Sequence, residues 1–170
     1  MTLSLHAASV PVFQQLLTSL DQLLAKAEAH AAERKIDPDA FCQARLFPDM
    51  FPLAKQVQLT ADFAKNATSR IAGQEPPRFT DDEKGFEELR GRIAKTLAHI
   101  GSIPRQDIEG GEERSITIQV GGKPLTFVAR NYLLHFALPN FFFHASTAYA
   151  ILRENGVDLG KADFMGGMPS

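Results

Sequence analysis

The stretch Arg130–Gly156, RNYLLHFALPNFFFHASTAYAILRENG, constrains the fold of this chain more than any other. It is long enough for about seven turns of α-helix. At the helical spacing of about 100° per residue, Leu133, Ala137, Asn140, Thr147, Ala148 and Ile151 fall on the side of His144. Phe142, Tyr149 and Leu138 fall opposite, and Phe141 and Phe143 fill the flanks. A helix that is apolar all round has to be covered all round. One face therefore packs into the chain's own bundle, and the other meets a hairpin, a tail or a second subunit. Pro139 interrupts the run. It lacks a backbone donor and clashes with the carbonyl four residues back, which predicts either a kink near Phe136–Leu138 or a helix restarting there.

Upstream, three more segments carry helical periodicity. Val10, Phe13, Leu16, Leu17, Leu20, Leu23, Leu24 and Ala27 recur at three and four residues, predicting a first helix from about Ala8 to Lys35. Asp37-Pro38 reads as an N-cap and first turn of a short helix through Ala44. The two prolines of RLFPDMFPL (Arg45–Leu53) force a non-helical passage. A second long helix follows from about Phe51 to Ala72, with Leu53, Val57, Ala61, Ala64 and Ile71 inward and Gly73 as its stop. Within GQEPPRFTDDEK a loop runs from Gly73 to Phe79 and a third helix begins after it, with Thr80 or Asp81 as cap and Glu83 completing a box. It runs to about Ile100 on a row of Phe86, Leu89, Ile93 and Leu97. The rest of its surface is charged, and His99 sits in the last turn where a positive charge suits the helix dipole. ITIQVGGKPLTFV alternates about a Gly121-Gly122 turn and predicts a β-hairpin. The tail VDLGKADFMGGMPS reads as extended.

With 170 residues, of which 44% are hydrophobic, the chain fits one domain spanning 1–170. Its net charge of −2 is spread without a basic block, which argues against nucleic acid as a partner. No apolar run reaches the roughly 18 residues that cross a bilayer, and the N-terminus lacks the pattern of a secretory leader. The lone Cys42 cannot form an internal disulfide, which suits a reducing, cytoplasmic setting. It reads either as a small buried hydrophobe or as a reactive thiol.

The polar residues that stand out are Asn140 and His144, one turn apart among phenylalanines, and Gln56, which shares a sector of the second long helix with Leu59 and Phe63. Asn140 and Gln56 both donate and accept, and His144 does either near neutral pH. Three further groups are within reach in principle. Asp49 caps the helix opened by Pro52 or serves as a ligand; Asp62 is solvated, paired with a lysine, or a ligand; His6 lies at the solvent side or reaches the end of the bundle.

RLFPDMFPLAKQVQLTADFAK (Arg45–Lys65), the hairpin and LPNFFFHASTAYAILRENGVDLGKADF (Leu138–Phe164) together resemble an uncharacterised bacterial domain family related to the DinB/YfiT-like metalloenzyme superfamily. The resemblance implies an all-α, up-down-down-up four-helix bundle with a small β-hairpin before the last helix, usually homodimeric. It also implies a divalent metal such as zinc or nickel, held by one histidine of the second helix and an HxxxH pair of the last. The corresponding positions here are Gln56, Asn140 and His144, with His6, Asp49 and Asp62 as additional donors. Amide oxygens bind such ions weakly, so two function classes stand side by side. One is a homodimeric small-ligand-binding or non-catalytic module with a polar pocket between the second and fourth long helices. The other is a divalent-metal-dependent enzyme, a hydrolase or a transferase using a low-molecular-weight thiol.

Overall fold

A computed structural model of the chain describes residues 3–167. Four long helices, α1 (Val10–Arg34), α3 (Leu53–Ile71), α4 (Phe86–Ser102) and α7 (Leu138–Glu154), surround one apolar core. Short helices α2 (Pro38–Gln43), α5 (Arg105–Glu109), α6 (Ala129–Tyr132) and α8 (Lys161–Met165) join or flank them. α3 is central: it packs against both α7 and α4, and α1 closes the far side. The inner stripes legible in the sequence are buried, from Phe13, Leu17 and Leu24 of α1 to Val57, Ala61 and Ala64 of α3, except that Leu97 of α4 is half-buried.

Helix starts differ from the expected caps. Asp37 does cap α2, accepting from the Asp39 amide at 3.0 Å. Asp49, in contrast, is exposed and caps nothing; α3 begins behind Pro52, whose carbonyl receives the Gln56 amide. Nor do Thr80, Asp81 and Glu83 open α4. That helix starts at Phe86 behind Gly85, and the three residues turn instead to the ion network described below.

The hairpin forms as expected from β1 (Ser115–Val120) and β2 (Lys123–Val128), with Ile116 opposite Phe127 and Ile118 opposite Leu125. Both turn glycines adopt positive φ, 57° at Gly121 and 78° at Gly122, the geometry of a tight two-residue hairpin turn. Through Phe127 the hairpin packs on Tyr132 and Phe136.

The apolar run is helical throughout, but not uniformly. Between α6 and α7 lies a five-residue π turn, Leu133–Ala137, and Pro139 follows it in the first turn of α7. A π turn holds one residue more than the regular helix, so the proline meets a widened backbone rather than a break. The outer face of α7 is covered in part by the tail. That segment is not extended: it forms α8, whose Phe164 packs edge-on against Tyr149. Ser19 of α1 donates to the Asp163 and Phe164 carbonyls, and Lys26 pairs with Asp163. Phe142 and Phe143 stay exposed, as do Phe47 and Phe51.

Candidate functional site

The α3–α7 interface carries, at the N-terminal turn of α3, a polar pair inside aromatic walls. His144 and Gln56 are 8% and 2% exposed, and the imidazole Nδ1 lies 2.7 Å from Gln56 Oε1. The other end of the amide decides the proton. Gln56 Nε2 donates to the Phe51 carbonyl at 3.1 Å, and a carbonyl only accepts. Oε1 must therefore face the ring, and Nδ1 must carry the hydrogen that Gln56 receives. The neutral imidazole is thus held as its Nδ1–H tautomer, with an unprotonated Nε2. Among the described residues no group pairs with Nε2, nor is it sealed from solvent, so it is the ring atom left to meet a ligand.

The ring's environment favours the uncharged form. Phe63 stacks on it with centroids 5.6 Å apart, and Phe143 stands edge-on at 5.2 Å. Burial, helped by the nearby Lys55 ammonium, pushes the His144 pKa below the ordinary imidazole value. The aromatic wall continues through Phe136, which contacts both Phe63 and Tyr132. The Tyr132 hydroxyl accepts from Arg70 at 3.0 Å.

Asn140 occupies the adjoining turn but is turned back on its own helix: Nδ2 donates to the Phe136 carbonyl at 2.7 Å. Among the described residues no hydrogen bond joins it to Gln56 or His144. The three outlying donors do not converge on the site. Asp62 bridges Lys65 at 2.9 Å and Arg92 at 3.0 Å. Asp49 is exposed in the loop before α3, and His6 lies near Glu109 of α5. Cys42 is fully buried, its thiol pushed up to about 11 by burial and then by neighbouring Asp39 and Asp37, so it stays a thiol at neutral pH.

This donor set does not fit a divalent transition metal. It offers one imidazole, one amide oxygen already engaged by that imidazole, and one amide held by its own backbone. Zinc and nickel sites draw on several imidazole, thiolate or carboxylate donors. Among the described residues, no group of three or more His, Cys, Asp or Glu side chains is placed to hold a metal ion.

A family model described as "Domain of unknown function (DUF1993)" matches residues 5–165. The chain belongs to that family. A solved structure of a DinB family member from Shewanella denitrificans superposes on this DUF1993 chain with a TM-score of 0.87 at 37% identity, covering 98% of this chain and 94% of that one. No curated protein matches it. The relation to DinB-like proteins expected from the PNFFFH segment is therefore shown for the DUF1993 chain as a whole. Sequence reading located Gln56 and His144 by this resemblance and by helical phase. It gave no sign of the Phe51 carbonyl that orients the amide, because a backbone contact leaves no mark on residue identity.

A second polar cluster lies between α3 and α4. The Arg92 side chain is 1% exposed and bonds Asp62, Asp81, Glu83 and the Thr80 carbonyl, all within 3.0 Å. Lys55 holds the other oxygen of Asp81 at 2.5 Å, and Gln58 holds Glu83 at 2.8 Å. Lys65 sits 4.3 Å over the Phe79 ring. One turn further along, His99 Nε2 lies 2.7 Å from Ser69 Oγ, and Ser69 itself donates to the Lys65 carbonyl. His99 thus donates through Nε2, and burial, followed by Lys65, lowers its pKa. It is a neutral linker between helices, not the charged dipole partner the sequence suggested.

Proposed function

We propose that this DUF1993 protein binds a small ligand at the α3–α7 interface, with His144 Nε2 as the hydrogen-bond acceptor and Gln56 as the group that fixes its tautomer. The observation that carries the reading is the Phe51–Gln56–His144 relay, which engages the Gln56 amide and His144 Nδ1 and leaves Nε2 without a partner among the described residues. A buried imidazole oriented this way takes a proton or a hydrogen bond from a ligand hydroxyl, amine or thiol. Phe63 and Phe143 supply apolar contact. Asn140, adjacent on α7, extends the polar surface once its amide turns outward.

Several finer points belong to the same reading. We take the long helices to run up-down-down-up, as in DinB-like bundles. We take a second copy of the chain to cover exposed Phe47, Phe51, Phe142 and Phe143, giving a homodimer in the cytoplasm, and sedimentation or light scattering at micromolar concentration tests it. The choice between a non-catalytic module and a metal-dependent enzyme turns on the donor set, and one well-placed imidazole supports the former. Elemental analysis of protein purified without a metal-affinity tag decides it: stoichiometric zinc, nickel or iron that is lost in His144→Ala would establish the enzyme reading. Ligand binding itself is tested by fragment screening with the His144 ring ¹⁵N resonances as the reporter. Fragments that move Nε2 and not Nδ1 are expected; none that moves Nε2 would refute the site.

A further inference from the structure

Residues 73–85 contain no helix or strand, yet they follow a defined course. Leaving the end of α3, the segment runs back along that helix. Gln74 N–H bonds the Ser69 carbonyl, Phe79 lies under Lys65, and Asp81 reaches Lys55. No residue between 73 and 85 is a buried hydrophobe. What fastens its distal half is charge: Asp81 and Glu83 on Arg92, Asp81 on Lys55, Glu83 on Gln58 and the Phe79 ring against Lys65.

The seat is also imperfectly filled. A cleft of about 650 Å³ opens beside these ion pairs, lined by both the segment and α4 through Phe79, Glu83, Arg92 and Lys95 among others. Arg92 Nε is buried without a hydrogen-bond partner among the described residues. A loop held by apolar burial would not leave either feature.

We propose that residues 73–85 form a strap latched by charge, which lifts as a unit when its ion pairs are weakened and uncovers a groove presenting Lys55, Lys65 and Arg92. Asp62 of α3 stays beside Lys65 and Arg92, and Glu88 and Lys95 of α4 line the same cleft, so the uncovered groove keeps a cationic excess. The strap itself, Phe79 followed by Asp81, Asp82 and Glu83, is its present occupant. Salt favours the lifted state because the charges it exposes become screened once they face solvent, the screening length falling to about 3 Å at 1 M. Lys55 bears on His144 through its charge, but none of these residues makes a hydrogen bond of the His144 relay, and the strap's movement is read independently of that site.

The chain contains no tryptophan, which permits a clean reporter. Phe79→Trp places one indole over Lys65, where the cation–π contact is retained. Acrylamide quenching of that indole is expected to rise about threefold or more between 0.05 and 1 M sodium chloride, with far-UV circular dichroism unchanged. The same rise is expected at low salt on adding Asp81→Asn or Glu83→Gln. In the unaltered chain, trypsin cleavage after Arg78 and Lys84 is expected to accelerate with salt relative to a free peptide control. Quenching that neither salt nor either substitution alters overturns the proposal. So does quenching that rises only together with loss of helical signal, since the strap would then not move apart from the bundle.

Discussion

His144 Nδ1 and Gln56 Oε1 stand 2.7 Å apart although 88 positions separate them in the chain. The bond fixes the histidine's tautomer from the side opposite the ligand-facing nitrogen. Replacing Gln56 with Glu puts a carboxylate against Nδ1–H and should raise the His144 pKa by about one to three pH units. Gln56→Leu leaves Nδ1–H without an acceptor and should cost about 1–3 kcal/mol of stability. Histidine ¹⁵N NMR and urea unfolding read the two effects, and an unchanged pKa in Gln56→Glu would contradict the relay.

Stability should fall as the pH drops from 7 towards 5. His144 and His99 both have pKa values lowered in the fold, chiefly by burial, whereas the unfolded chain takes up protons at about 6.5. Above that value both states are neutral and nothing is lost. As pH falls through it, the unfolded state binds more protons and gains, and the loss levels off below the folded-state values. Urea midpoints measured across this range, with His144→Phe flattening part of the slope, check the sign.

Two arginines two residues apart should behave differently. Arg92→Met strands Asp62, Asp81 and Glu83 around a vanished guanidinium and should cost about 3–5 kcal/mol. Arg90 pairs with Asp21 and Glu28 at the surface, its side chain 37% exposed, so Arg90→Met should cost no more than about 1 kcal/mol. Equal losses in thermal unfolding would show that the Arg92 network is not buried as described.

Lys35 ends α1 in the left-handed region, with φ of 57°. Only glycine adopts that conformation without steric cost, so Lys35→Gly should stabilise the protein by up to about 1 kcal/mol. A lowered melting temperature would mean that the lysine side chain contributes more than its backbone strain removes.

Periodicity made the long helices legible, because burial of an inner stripe is written directly into residue types such as Phe13, Leu17, Val57 and Ile93. The hairpin was legible from Gly121-Gly122, which only a left-handed turn explains. The tail was misread because α8 is a five-residue helix held by Ser19 and Lys26, contacts about 140 positions away that local pattern cannot encode. Arg92 was missed for a related reason. On a helix whose other charged residues lie largely at the surface, a buried arginine carries no distinguishing neighbour in sequence; its partners come from the strap and from α3. The site was half legible. Helical phase put Asn140 and His144 on one side of the last helix and Gln56 beside Leu59 and Phe63, and the resemblance brought the positions together; that Asn140 bonds the Phe136 carbonyl of its own helix was not legible.

Because the backbone widens at Leu133–Ala137, the chain carries one surplus residue just ahead of the histidine. Removing a single residue there would restore an ordinary helix and leave every later side chain pointing where it now does. Removing one anywhere between Asn140 and His144 would swing the imidazole by about 100° away from Gln56. Length can therefore drift at one spot beside the site without misaiming it, and aligned relatives that differ by one residue are expected to place the gap there.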